Sequence, residues 1–97
     1  MEIKWNKLAV RQLLGAIQYL EENDLPDLAQ EIEKEILEKV RSLVENSEIY
    51  QADRLKKHND GTFRAFEVGH YRISYRKFKT EIRILRVRHT SRRPFTR

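Results

Sequence analysis

Apolar residues recur at helical spacing in two consecutive segments of the N-terminal half. In residues 7–22 they lie three or four positions apart, which places them on one face of a helix: Ala9, Leu13, Ala16, Ile17 and Leu20. Asn6 precedes this segment as a candidate N-cap. The second segment begins at Pro26, a residue favoured in the first helical turn, and its apolar stripe consists of Ala29, Ile32, Ile36, Val40 and Leu43. The short linker "ENDLP" between the segments predicts an antiparallel helical hairpin.

Alternating apolar and polar residues predict strands on both sides of this hairpin. Ile3 and Trp5 alternate with charges, and three further strands are expected at 63–68, 71–77 and 81–89. The links between these three are two and three residues long, as in antiparallel hairpins. Residues 45–61 lack periodicity and predict an irregular connector. The order β-α-α-β-β-β predicts one α+β domain over 1–97, with the helical hairpin packed on one face of a small antiparallel sheet.

Composition excludes several classes of protein. The 97 residues include no cysteine, and the three histidines lack the spacing of metal ligands, so neither a metal nor a cofactor is expected. The N-terminus has no apolar signal core, and the longest uncharged run, 12–20, is too short to cross a bilayer. We therefore expect a cytoplasmic protein without membrane contact.

Charge is distributed unevenly along the chain. Residues 1–49 contain 6 Lys and Arg against 11 Asp and Glu, a net charge of −5. Residues 50–97 contain 14 against 4, a net charge of +10. Clustered cations attract phosphates and acidic proteins. The C-terminal half is thus expected to face an anionic partner.

Arginines account for much of this basic charge, and they interrupt two predicted strands. Strict alternation places Tyr71, Ile73 and Tyr75 on one side of a strand, with Arg72 on the other. In the last strand it groups Arg86 and Arg88 with Ile82 and Ile84. Because arginine binds phosphate and carboxylate groups in a bidentate manner, six residues are candidate phosphate- or target-binding groups: Arg64, Arg72, Arg86, Arg88, Arg92 and Arg93. The alternative is that half of these arginines pair with the acidic helices of the same molecule.

The segments "FRAFEVGHYRISYR" and "IRILRVRHTSRRP" resemble the RelE/ParE superfamily of toxins from type II toxin–antitoxin modules of the plasmid stabilisation type. The aromatic-Arg-aliphatic-x-Tyr pattern at 71–75 is the specific part, and the ending "RVRHTSRRP" is closest to the ParE-like branch. The resemblance implies the β-α-α-β-β-β fold, growth inhibition, and neutralisation by a cognate acidic antitoxin that wraps the toxin.

The superfamily has two mechanisms, and a fold alone does not choose between them. ParE-like members inhibit DNA gyrase without a catalytic set, whereas RelE-like members cleave messenger RNA on the ribosome. Arg72 corresponds to the phosphate-stabilising arginine of the cleaving members. Their Lys-x-Lys pair is replaced here by Phe63-Arg64-Ala65, and the tail has Phe95 in place of their C-terminal tyrosine.

A YoeB-like variant of the cleaving mechanism stays open. In that variant Asp53 would accept the ribose proton, Arg72 would stabilise the phosphate and His89 would protonate the leaving oxygen. We favour the gyrase inhibitor and keep the mRNA endoribonuclease as the alternative, so whether the protein is an enzyme is left undecided. A third class is a basic RNA-binding module in which Tyr71, Tyr75 and Phe66 stack on bases.

Overall fold

The computed structural model describes residues 1–91 of the chain. A strand and two helices are followed by three strands, which confirms the predicted α+β arrangement. The elements are β1 Glu2–Trp5, α1 Lys7–Glu22, α2 Pro26–Ser42, β2 Phe63–Val68, β3 Tyr71–Lys77 and β4 Glu81–His89. Asn6 lies at the N-cap position of α1 with extended backbone angles, although its side chain makes no capping hydrogen bond.

The four strands form one sheet in the order β1-β4-β3-β2. β2, β3 and β4 are antiparallel neighbours, as expected from their short links. β1 is instead parallel to β4, with Glu2 opposite Glu81 and Trp5 opposite Ile84, so the sheet is mixed. Only antiparallel strands can be joined by a tight hairpin. Because both helices and two strands separate β1 from β4, no turn constrains their relative direction.

The predicted apolar stripes of both helices pack on one face of the sheet. Ala9, Leu13 and Leu20 of α1 are buried, with Ala16 and Ile17 partly buried beside them. The strands contribute the rest of the core. Several side chains from the helical segment and from the strands are fully buried: Ile36, Leu43, Ile73, Tyr75, Ile82 and Ile84. We call this side of the sheet the helix face and the opposite side the outer face.

A β-bulge in β4 changes which face its arginines occupy. Ser74 lies opposite Arg86, but Tyr75 lies opposite Ile84, so Leu85 is an extra residue in β4. Val87 is therefore buried on the helix face together with Ile82 and Ile84. The expectation that Arg86 and Arg88 share a side with these isoleucines is wrong, because a bulge reverses the alternation of the residues that follow it.

Residues 43–62, here called the connector, run along the free edge of β2. Ala52 forms an isolated antiparallel bridge with Arg64, and Asp53 N donates to Phe63 O at 2.7 Å. The Asn59 side chain donates to the carbonyls of both Asp53 and Phe63. On the helix face, the Tyr50 ring lies 4.7 Å from that of Phe66. The connector thus contacts both faces of the sheet and partly covers the outer one.

Tyr75 links the core to the start of the connector, and its environment predicts a loss of stability at alkaline pH. Its buried hydroxyl donates to Ser47 O at 2.9 Å, and burial raises the pKa of Tyr75 to about 12. The unfolded phenol ionises near pH 10. The contribution of Tyr75 is therefore intact below pH 10 and declines by roughly 3 kcal/mol as the pH rises towards 12.

Urea unfolding of the wild type and of Tyr75→Phe at several alkaline pH values measures this contribution. The difference between their free energies of unfolding should fall as the pH rises from 10 to 12, because phenylalanine cannot ionise. A difference independent of pH would contradict the assignment.

Candidate functional site

The outer face carries a ladder of arginines from two neighbouring strands. Arg72 lies opposite Arg88, and Arg76 lies opposite Arg83, while Arg86 lies opposite Ser74. We call these five arginines the basic face. Like charges directly opposite each other in a sheet are destabilising. Counter-charges from elsewhere in the molecule, or from a partner, are therefore needed.

Arg72 receives its counter-charges from within the chain. Its Nη2 atom lies 2.7 Å from Asp53 Oδ1 in the connector, and its Nη1 atom lies 3.4 Å from Glu67 Oε2 in β2. The Arg72 side chain is only 14% exposed and that of Asp53 only 11%. Arg72 is thus on the face expected from the sequence, but it is covered and neutralised. The acidic partners come from the connector and from β2, and neither helix supplies one.

Asp53 anchors the connector through two kinds of bond. Besides the ion pair with Arg72, its Oδ1 atom accepts a hydrogen bond from Leu55 N at 3.0 Å, which closes a turn. The same carboxylate oxygen therefore stabilises the local turn and binds the Arg72 guanidinium. Asp53 and Arg72 are arranged as a structural ion pair.

Arg64 does not belong to the basic face. It lies opposite Tyr75, whose side chain is buried on the helix face, so the two share that face. The Arg64 Nη1 atom donates to Tyr50 O at 2.7 Å in the connector. Arg64, one of the six candidate target-binding arginines, therefore lies on the opposite face of the sheet from Arg72.

His89 also lies on the helix face, at the end of β4. Its ring makes an edge contact with Tyr71 at 5.3 Å and stacks on His70 at 5.7 Å between ring centroids. Its Nδ1 atom is 2.6 Å from Ser91 Oγ. The structure thus brings Asp53 and Arg72 together and places His89 on the opposite side of the sheet from both.

A small cavity lies between the connector and the basic face. Its volume is about 60 Å³, and its walls combine polar and apolar side chains: Asp53, Leu55, Lys56, Phe63, Ser74, Leu85, Arg86 and Arg88. The Lys56 ammonium and the Arg76 guanidinium also lie over the Phe63 ring, at 4.6 and 4.3 Å from its centroid. This concentration of cations suits an anionic group. Arg92 and Arg93 lie outside the described residues.

Sequence reasoning missed Lys56, Ser74 and Leu85 as neighbours of the basic face. Lys56 belongs to the connector, and the sequence of that segment has no periodicity from which its path could be predicted. In the structure the buried residues Ile82, Ile84 and Val87 are spaced by two and then by three, but in the sequence Leu85 and Val87 are also two positions apart, so the apolar pattern alone does not locate the bulge. A change from spacing two to spacing three within one strand is the pattern that a bulge produces.

Within residues 1–91, no three side chains of His, Asp or Glu are grouped so that they could hold a metal ion. Neither helix of that range has the length and apolar character needed to cross a bilayer.

Comparisons with known proteins agree with this architecture. A family model described as "ParE toxin of type II toxin-antitoxin system, parDE" matches residues 3–94. A solved structure described as "Chromosomal ParDE TA system from P. aeruginosa" is similar with a TM-score of 0.70 and 21% identity, covering 92% of this chain and 95% of that chain. At that identity the likeness concerns the fold. No curated protein matches this sequence. Because the family model spans nearly the whole chain, this protein belongs to the ParE toxin family of type II toxin–antitoxin systems.

Proposed function

We propose that this protein inhibits growth by binding DNA gyrase, without catalysis of its own, and that a cognate acidic antitoxin neutralises it. The position of His89 is the observation that best supports a mechanism without catalysis. A general acid must approach the same scissile bond as the phosphate-binding cation and the base. Arg72 and Asp53 are on the outer face, whereas His89 is on the helix face beside Tyr71.

The contacts of Asp53 also support a mechanism without catalysis. A general base needs a lone pair directed at the substrate, but Asp53 Oδ1 is directed at Arg72 and at Leu55 N. Both side chains are also almost completely covered. A ribose hydroxyl would have to displace the connector before it reached either of them.

The basic face supports recognition of an acidic surface. Arg86 and Arg88 carry two cations along the end of β4, and Lys56 of the connector adds a third beside the same cavity. Such a cluster accelerates association with acidic proteins and binds their carboxylates. We place the target contact and part of the antitoxin contact here, with Arg92 and Arg93 of the tail as further candidates.

The mRNA endoribonuclease stays as the second candidate because Arg72 and Asp53 are in direct contact at 2.7 Å. A cation and a carboxylate are two of the three groups that this cleavage needs. The ribosome would then have to supply the missing acid or rearrange the connector. A basic RNA-binding module has less support, because the expected stacking residues Tyr71, Tyr75 and Phe66 are all buried.

The decisive experiment expresses the chain from a tightly controlled promoter and measures DNA supercoiling, SOS induction and ribosome-dependent messenger cleavage in the same cells. We expect growth arrest with altered supercoiling, SOS induction and intact messenger. Co-expression of the cognate antitoxin should restore growth. In-frame messenger cleavage with normal supercoiling would overturn the gyrase proposal in favour of the endoribonuclease.

Matched arginine variants test the role of the basic face in the same assay. Arg88→Gln should relieve growth inhibition, whereas Arg41→Gln, in the last turn of α2, should not. Circular dichroism of both purified variants checks that each is folded. Equal toxicity of the two folded variants would show that the basic face does not contact the target.

A further inference from the structure

The turn between β3 and β4 exposes an aromatic ring. Phe78 is the first residue of this turn, and its amide donates to Glu81 O at 2.8 Å, which fixes the backbone at that point. Phe78 is 39% exposed, and between residues 50 and 91 no other large apolar residue is as exposed. The other aromatic residues of the strands are buried or partly buried. A single exposed apolar side chain is common on protein surfaces, so the surroundings of this ring have to decide its role.

Phe78 is the outermost member of a stack of three side chains. The Arg76 guanidinium lies 4.9 Å from the centroid of the Phe78 ring and 4.3 Å from that of Phe63, and Arg76 Nε donates to Thr62 Oγ1 at 3.2 Å. Because Arg76 is on the outer face, opposite Arg83, the Phe78 ring lies over the end of that face. Contact with a guanidinium restricts the orientation of a ring. A side chain that is ordered before binding loses less entropy when it binds.

The cations around the exposed ring are partly neutralised within the chain. Lys77 Nζ lies 3.1 Å from Glu48 Oε1, and Arg83 Nη2 lies 2.8 Å from Glu81 Oε2. Lys79, next to the ring in the turn, is exposed and makes no ion pair with any residue of 1–91. The ring is therefore surrounded by a modest positive charge and not by a row of unpaired cations.

This balance of apolar and charged groups favours a protein as the partner. A nucleic acid is held mainly by several cations on its phosphates, and two of the cations beside the ring already have carboxylate partners. A pocket with an apolar interior and a few carboxylates at its rim matches one aromatic ring flanked by Lys79. The ring also adjoins the basic face, to which Arg76 and Arg83 belong.

From these observations we infer that Phe78 anchors the contact with the target, and that its ring enters an apolar pocket of the target protein with carboxylates at its rim. The inference rests on the proposed function, in which the target is DNA gyrase. The Phe78 ring supplies the apolar area that is buried on binding, and the basic face supplies the attraction between the two proteins. Aromatic side chains that fill a pocket at the centre of an interface carry much of its binding energy.

Phe78→Ala tests the inference, with purified DNA gyrase as the probe and surface plasmon resonance as the measurement. We expect the dissociation constant to rise about tenfold or more and growth inhibition to be relieved. The turn should survive, because its bond to Glu81 is made by the main chain. Leu28→Ala is the matched control. It removes an apolar side chain of similar exposure, 40%, from α2 on the opposite side of the sheet, and it should bind and inhibit growth as the wild type does.

Lys79→Glu tests the acidic rim of the pocket at an exposed position. Its association with gyrase should be about threefold slower or more at low salt, and the difference from the wild type should shrink as the salt concentration rises. An association rate equal to that of the wild type at low salt would overturn the inferred rim.

Circular dichroism first establishes that each variant is folded. Wild-type affinity for gyrase in folded Phe78→Ala would overturn the inference and leave the proposed function intact. Absence of gyrase binding by the wild type would overturn the proposed function, and the inference with it. The same variants are also mixed with a fluorescent single-stranded oligonucleotide. Oligonucleotide binding by the wild type that Phe78→Ala abolishes would assign the ring to base stacking and overturn the inference.

Discussion

Arg72→Ala is expected to lower the free energy of unfolding by about 3 kcal/mol, because it leaves the Asp53 carboxylate covered and without its cation. The 2.7 Å ion pair between the two side chains is nearly excluded from water, and Asp53 also fixes the turn at Leu55. Loss of the pair should therefore loosen the connector as well as destabilise the sheet. Urea denaturation followed by circular dichroism measures the change.

The double variant Asp53→Asn/Arg72→Ala separates the buried charge from lost packing. Removing the carboxylate charge in the Arg72→Ala background should recover part of the stability, so that the two substitutions are less than additive by about 1–3 kcal/mol. Strict additivity would show that the pair is not coupled. These stability measurements are also a control for the toxicity assay. An inactive Arg72→Ala protein has to be shown to be folded before Arg72 is assigned a target contact.

Ile36→Ala should destabilise the fold by about 4 kcal/mol, because it removes three carbon atoms from the buried side of α2 and leaves a cavity in the core. Ile36 is 0% exposed and belongs to the core cluster that also contains the buried residues of the sheet. Alanine is a strong helix former, so the loss reflects the cavity and not a weaker helix.

The adjacent residue provides the matched control. Leu37→Ala removes the same number of atoms from the same helix, but Leu37 is 37% exposed, and we expect a loss of about 1 kcal/mol or less. Thermal denaturation of both variants makes the comparison. Similar losses at the two positions would mean that α2 is rotated relative to the orientation described above.

Most of the fold was predictable from the sequence because its signals are local. The stripes of α1 and α2 follow the helical period, and the short links at 69–70 and 78–80 delimit β2, β3 and β4. The direction of β1 was not predictable in this way. It depends on contacts with a strand almost the whole chain away, and no turn residue encodes it.

The candidate site was only partly predictable, and for two different reasons. The face of Arg64 follows from the two-residue link between β2 and β3, because that link pairs Val68 with Tyr71 and hence Arg64 with Tyr75. That information was present in the sequence. The burial of Arg72 against Asp53 could not be predicted from the sequence, because it depends on the path of an irregular connector. Periodicity carries no information about such a path.

The pairing of β1 with β4 has a consequence for the order of folding. Glu2 has to meet Glu81, so this part of the sheet closes only after the chain has been synthesised as far as β4. Until β4 has left the ribosome, α1 lacks the strand against which it packs. Contacts between such distant residues slow folding, since the entropy of closing a long loop is lost before the contact forms. A nascent chain of this protein therefore completes its native sheet only after β4 has been synthesised, and truncation before β4 removes the strand that pairs with β1 and packs against α1.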